Sequence, residues 1–358
     1  SWILSGTVPT MIYYGVALMS PDYFYLTACL VCALLGFSIG SSWTVAGTLG
    51  VGLMGIAVAL DLSPGISAGA IISGAYFGDK LSPLSETTNL AAAVTSNDLF
   101  DHIQHMLWTT VPAILITLTI FFFMGAGSSS NVVISDIVAL QTAMDNAFTI
   151  NPFMLGPMIL LLVMAVKKQP ALSTLICGTV AGCVFAAVFQ WHAVIALADD
   201  TSLSATAAGF KGLLSAMFLG YNSVSGNESL DALLSKGGMS SMLTTVGLVI
   251  NAMAFGGAMA RTGLLARLVE AALSRVKSAG GLITATVGTC IGTNILAADQ
   301  YLSIVLPGQM FIEPYKERKL KSINLSRTLE DSGTLTSALV PWNTCGAYMS
   351  ATLGVSTF

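Results

Sequence analysis

Between two long apolar segments lies Gly74-Ala75-Tyr76-Phe77-Gly78-Asp79-Lys80-Leu81-Ser82-Pro83-Leu84-Ser85-Glu86-Thr87-Thr88-Asn89. It carries three charges, a proline and a run of side-chain oxygens. Of the 358 residues, 54% are hydrophobic and only 9% are charged, and the mean hydropathy is +0.79. A soluble domain has about 25% charged residues, so an ordinary soluble fold is excluded. Charge at membrane depth is costly and needs a compensating interaction. A bound cation is the expected one.

Near-continuous apolar stretches at Leu26–Phe37, Val111–Met124, Met154–Val166 and Ser241–Ala260 approach the roughly 20 residues a membrane span requires. The short alternating segments of a transmembrane barrel are absent from the pattern. The expected fold class is an all-α polytopic membrane protein. A net charge of −4, with no basic patch interleaved with aromatics, argues against a nucleic-acid partner. Cys29, Cys32, Cys177, Cys183, Cys290 and Cys345 all sit in apolar segments. Cys29 and Cys32 form a C-x-x-C without a second ligand pair, so they read as core thiols rather than a transition-metal site. The chain starts at Ser1 inside an apolar segment and ends at Phe358 soon after another, so truncation at both ends is expected.

Ten of the fourteen Lys and Arg residues fall in three places: Lys167 with Lys168, Arg261 to Lys277, and Lys316 to Lys321. The positive-inside rule puts all three on the cytoplasmic side of a bacterial-type inner membrane. Acidic residues at Asp22, Asp61, Asp136 to Asp145, Asp199 with Asp200, and Glu228 to Asp231 fall in the opposite loops. Parity then requires two hairpins that turn within the membrane. One is at 23–60, breaking at Gly40-Ser41-Ser42-Trp43-Thr44. The other is at 278–312, breaking at Gly292-Thr293-Asn294. Backbone at that depth must be buried in protein or line a cavity. Residues 261–277 place Leu264, Leu265 and Leu268 on one helical face and read as an interfacial helix, or else as a solvated basic linker.

Each hairpin precedes a polar, interrupted helix: 64–96 after the first, 323–356 after the second. The second contains Glu330-Asp331-Ser332-Gly333 and Pro341-Trp342-Asn343-Thr344. Two such units of opposite entry are the pattern of inverted repeats in a secondary transporter. The expected organisation is a first repeat at 1–124, closed by a helix at 106–124, an extracellular loop at 125–151, and a second repeat at 152–358.

At Gly74–Asn89 the chain resembles the NhaC-type Na+/H+ antiporter family. The likeness extends through Thr293-Asn294, Asp299 and Asp331–Thr344. It implies Na+/H+ exchange by alternating access, with Na+ as the transported ion and no cofactor. The same family includes malate/lactate antiporters, which stay open as an alternative. Homodimerisation enters only by analogy with transporters of this fold class. A third alternative, an intramembrane aspartyl enzyme, would use Asp79 with Asp331, but the G-x-G-D pattern expected there is missing.

Na+ prefers oxygen ligands. Asp79, Ser82 and Glu86 at i, i+3 and i+7 would share one helical face, and Pro83 would break the helix. A buried carboxylate suits antiport, because desolvation favours its proton and a neighbouring cation displaces it. Asp79 and Asp331 are the expected titrating pair, with Glu86 and Asp299 next. Ser41, Ser42, Thr44, Ser82, Thr87, Thr88, Asn89, Thr293, Asn294, Asn343 and Thr344 are candidate Na+ ligands. Any single hydroxyl among them could equally bond its own backbone. Lys80 is expected either to pair with Asp79 or Glu86, or to compete with Na+ as an internal cation. Glu330 reads as an interfacial charge. His102 and His105 read as solvated loop residues or as pH sensors.

Overall fold

The computed structural model describes residues 1–126, 134–167, 169, 171–198, 202–223, 231, 234–264, 267, 276 and 278–357. The chain is helical almost throughout. The helices are α1 (Thr7–Leu18), α2 (Phe24–Ile39), α3 (Ser42–Val45), α4 (Val51–Ala59), α5 (Pro64–Leu81), α6 (Glu86–Val94), α7 (Leu99–Gly125), α8 (Ile134–Ala147), α9 (Gly156–Val166), α10 (Ala171–Phe189), α11 (Trp191–Ala196), α12 (Ala205–Phe218), α13 (Met239–Arg261), α14 (Ala279–Leu296), α15 (Gln300–Glu317), α16 (Ser322–Leu329), α17 (Leu335–Ser337) and α18 (Thr344–Leu353). Two π-wound segments, Ala46–Gly50 and Glu330–Thr334, interrupt this series. A two-residue antiparallel ladder pairs β1 (Gly220–Tyr221) with β2 (Lys236–Gly237).

Among the described residues, Pro21–Ile39, Ser42–Ala59, Leu99–Gly125 and Ala279–Leu296 are long and apolar enough to cross a membrane. The α7 span has only 22% of its residues buried. Leu115, Ile116 and Phe123 are more than half exposed. In water that stripe would be an apolar patch in need of a cover; against lipid it is at home. The chain is thus a multi-pass helical membrane protein.

Its residues form two compact units. One comprises Ser1–Ala28, Gly47–Ile71 and Phe121–Leu243. Within it α1 packs on α4, α9 on α10 and α11 on α12, and Leu4, Ala186, Val194 and Ala216 make a small core. The other comprises Cys29–Ala46, Ile72–Ile120 and Thr244–Phe358. There α14 packs on α15, and α15 on α6. Its core includes Cys290, Ile304, Phe311, Tyr315 and Leu329.

In this second unit α2 and α5 approach closely through small residues. A Cβ on Gly74 would lie 2.1 Å from the Cys29 carbonyl, and one on Gly78 2.0 Å from the Ala33 carbonyl. Such small-residue faces let membrane helices pack backbone to backbone. They explain Cys29 and Cys32 as buried, unpaired thiols of the core.

Several expectations change. Gly292-Thr293-Asn294 is not a break, because α14 runs on to Leu296 and the chain turns at Ala297-Ala298-Asp299. The helix expected at 106–124 begins at Leu99, so His102 and His105 are helical rather than in a loop. Part of the loop expected at 125–151 is the helix α8. The interfacial helix expected at 261–277 lies mostly outside the described residues, as do Lys168, Asp199, Asp200 and Glu228.

Candidate functional site

The first break lies between α5 and α6. Pro83 cannot donate a backbone hydrogen bond, and Ser85 caps α6, accepting from the Thr88 amide at 3.5 Å. The broken ends leave backbone groups that need partners. Thr88 Oγ1 donates to the Lys80 carbonyl at 2.9 Å, and Asn89 Nδ2 donates to the Pro83 and Ser85 carbonyls at 2.9 and 2.7 Å. The Ser82 hydroxyl accepts from the Leu84 amide at 3.2 Å. These polar groups thus hold the break open.

The turn between α2 and α3 presses onto this break. Gly40 is left-handed, with φ 70°, and a Cβ there would sit 2.7 Å from Leu84. Only glycine adopts that conformation freely and leaves room for the approach. Ser41 caps α3, accepting from the Thr44 amide and hydroxyl at 3.3 and 3.0 Å. The Ser42 amide donates to Asp79 Oδ2 at 2.9 Å. A first-turn N–H has no partner within its helix and is a natural donor to a carboxylate.

The second broken helix is built differently. After α16 the backbone widens into the π-wound turn Glu330–Thr334, a winding that is rare and concentrates at functional positions. It then stops after α17 and restarts at α18, where Asn343 Oδ1 accepts from the Cys345 amide at 3.0 Å. Asn343 Nδ2 donates to Asn294 at Oδ1 (3.1 Å) and at its carbonyl (3.2 Å). Asn294 Nδ2 donates to the Gly333 carbonyl and to Thr336 Oγ1 at 2.7 and 2.9 Å. The turn between α14 and α15 touches this break too: the Thr344 amide donates to the Ala298 carbonyl at 3.0 Å. Asp299 caps α15 through the Leu302 amide at 2.9 Å, and Thr293 Oγ1 donates to the Thr289 carbonyl. The Thr344 hydroxyl donates to Asn343 Oδ1 at 3.4 Å.

Between the two breaks the charges gather. Lys80, 1% exposed, pairs with Asp331 rather than with Asp79 or Glu86. Glu330 is fully buried and not interfacial. Its Oε1 accepts from Thr87 Oγ1 at 2.9 Å, and its other polar neighbours are Lys80, Thr334 and Asp79. Asp79 Oδ1, Glu330 Oε2 and Thr334 Oγ1 are buried and make no hydrogen bond. Buried polar atoms normally have partners, so three orphans in one cluster mark a place built for something else.

Asp79, Ser82 and Glu86 do not share a helical face, because the break separates them. Glu86 is exposed and accepts from the Tyr301 hydroxyl at 2.7 Å. The place of Glu330 near the end of its helix made it read as an interfacial charge, and adjacent residues on a regular helix do not share a face. The π-wound turn brings both Glu330 and Asp331 to the cluster.

The sequence profile described as the Na+/H+ antiporter family matches residues 74–358. The chain belongs to the Na+/H+ antiporter family. It is 39% identical over 354 residues to a protein named Na+/H+ antiporter NhaC from Alkalihalophilus pseudofirmus, covering 99% of this chain and 73% of that one. It is 36% identical to the NhaC of Bacillus subtilis, covering 99% and 75%. A protein named malate-2H+/Na+-lactate antiporter, also from Bacillus subtilis, is 34% identical over the full chain and 73% of its own length. No solved structure matches.

Proposed function

We propose that this protein is a secondary transporter that exchanges Na+ for H+ by alternating access, and that Asp79, Glu330 and Lys80–Asp331 form its exchange centre. One observation carries the reading. Glu330 lies near both Asp79 and Lys80, and that lysine is already paired with Asp331. With Asp79 and Glu330 both ionised, the cluster holds two uncompensated negative charges in a buried place, which is strongly unfavourable. It therefore needs a proton or a cation. Asp79 Oδ1, Glu330 Oε2 and Thr334 Oγ1 offer the hard oxygen ligands Na+ prefers. A proton on either carboxylate removes both a charge and a ligand, so Na+ and H+ exclude one another. Lys80 holds Asp331 and keeps a fixed positive charge beside the site.

Hairpin turns pressing on both breaks support an assembly of inverted repeats with re-entrant hairpins, 1–124 and 152–358. In that arrangement Lys167, Arg261 and Lys316–Lys321 face the cytoplasm. Asp79→Asn, reconstituted in proteoliposomes, should abolish Na+-dependent proton flux. Retained flux would falsify the assignment of Asp79.

A second reading, organic-acid antiport, draws on a cavity of about 380 Å³ beside Lys80 and Asp331. Tyr76, Thr110, Ile72 and Phe77 also line it. That volume exceeds the need of a bare ion and falls in the range of small-molecule sites. Lactate or malate uptake driven by a Na+ gradient would favour this reading; Na+/H+ exchange that runs without any organic acid excludes a need for one.

A further inference from the structure

His102, in the first turns of α7, is fully buried. Its Nδ1 lies 2.9 Å from Ser326 Oγ on α16. The Ser326 hydroxyl spends its one proton on the Ile323 carbonyl at 3.1 Å. With the hydroxyl proton assigned to Ile323, Ser326 Oγ is the acceptor and the neutral imidazole carries its proton on Nδ1. Nε2 is left as a bare base, buried and without a partner. The charged or titratable groups facing the ring are Lys80 from α5, Asp331 from the π-wound turn and His105 on its own helix.

One turn further along, His105 Nε2 meets Asn324 Oδ1 at 3.0 Å. His105 also lines an open groove of about 730 Å³ with Asp101, Gln104, Trp108 and Ile323. His102 thus shares a helix turn with two residues of the open groove, Asp101 and His105, and has Lys80 and Asp331 of the carboxylate cluster as its charged neighbours. An unpartnered imidazole nitrogen is a poor choice for packing alone, since burying it unsatisfied costs about 1–3 kcal/mol.

We propose that His102 is the proton-relay residue joining the carboxylate cluster to this groove. Nε2 takes up one proton from the groove side, forming the imidazolium. It then passes that same proton to a carboxylate of the cluster and returns to the neutral ring. Ser326 keeps Nδ1–H in place throughout, so the ring does not have to change tautomer between cycles. On the reverse stroke the proton moves from carboxylate to Nε2 to groove. His102 itself holds no Na+; the carboxylate that receives its proton is one that Na+ would otherwise occupy.

This rests on the exchange reading, and the experiment separates the two. Wild type, His102→Asn and His102→Ala are reconstituted in proteoliposomes. Na+-driven proton flux and proton-independent exchange of radiosodium for Na+ are both measured. Asn can keep a hydrogen bond to Ser326 but cannot relay a proton. Both variants are expected to lose proton flux about tenfold or more while sodium-for-sodium exchange persists. Added imidazole should restore proton flux to His102→Ala. Wild-type proton flux in His102→Asn overturns the relay and leaves the exchange reading intact. So does an equal fall of both fluxes in His102→Ala that His102→Asn repairs, because that marks a purely structural histidine. A wild-type protein that moves sodium in neither assay overturns the exchange reading, and the relay with it.

Discussion

The two broken helices do the same job with different parts. In the first, α5 stops cleanly at Leu81, a four-residue link containing Pro83 intervenes, and its buried carboxylate, Asp79, sits in the last turn, two residues before the stop. In the second, the charges Glu330 and Asp331 lie in a π-wound turn well before the break at 338–343, and the bond network runs through Asn294 and Asn343. The first break is maintained by hydroxyls and an amide bonded to its own backbone. The second is maintained by side chains of the neighbouring helix. Two breaks of similar sequence therefore need not be held, or charged, in the same way. The first helix contributes a carboxylate and a lysine, and the second contributes the lysine's partner and a further carboxylate.

The sharpest way to test that asymmetry is to compare Glu86 with Glu330. Glu86 opens α6 just after the first break and is exposed; Glu330 is buried with one free oxygen. Glu330→Gln should cut Na+-dependent proton flux by about a hundredfold, and Glu86→Gln should change it far less. Equal losses would show that the two helices contribute alike.

Lys80 tests whether the halves are joined by charge. Lys80→Met leaves Asp331 without its partner in a largely buried place. Asp331 keeps a quarter of its side chain exposed, so the cost belongs at the lower end of the range for a broken buried pair, about 3 kcal/mol. Lys80→Met with Asp331→Leu should recover most of that stability in a detergent melt and no exchange. If the double variant is as unstable as the single one, the pair is not what connects the halves.

Much of this was legible in the sequence, and the failures share a cause. Apolar runs, Pro83 and the Gly74–Asn89 motif located the spans at Leu26–Phe37 and Val111–Met124, the first break and the buried charges, because each is a local property. Partner choice is not local. Lys80 meets Asp331 across 251 positions, not Glu86 across six. Asn294 looked like a turn residue because Asn is common in turns. It is a helical residue whose side chain bonds the second broken helix, and the turn falls to Ala298, a residue with no turn signal. His102 looked solvated because charged neighbours at Asp98 and Asp101 surround it in sequence. Burial against Ser326 depends on α16, more than two hundred residues away.

The turns after α2 and after α14 offer a matched pair. Gly40 and Ala298 are both left-handed, at φ 70° and φ 55°, and both meet the following break. Gly40→Ala adds a methyl 2.7 Å from Leu84 and a conformational cost, together about 3 kcal/mol. Ala298→Gly removes a strained Cβ and should be neutral or stabilising by up to about 1 kcal/mol. Melting temperatures that fall together would mean that handedness is not what the two turns share.

The smallest difference concerns the caps that restart each helix. Ser85 accepts from the Thr88 amide at 3.5 Å, a marginal bond, whereas Asn343 caps Cys345 at 3.0 Å and also donates to Asn294. A typical cap contributes about 1 kcal/mol. Ser85→Ala should cost about 1 kcal/mol, because it loses only a marginal cap together with the Thr87 hydroxyl contact at 3.1 Å. Asn343→Ala should cost about 2 kcal/mol, since it removes a good cap and leaves Asn294 Oδ1 buried without its donor. If instead the two substitutions cost the same, the second break does not depend on its neighbour helix, and the contrast between self-supported and externally supported breaks fails at its simplest point.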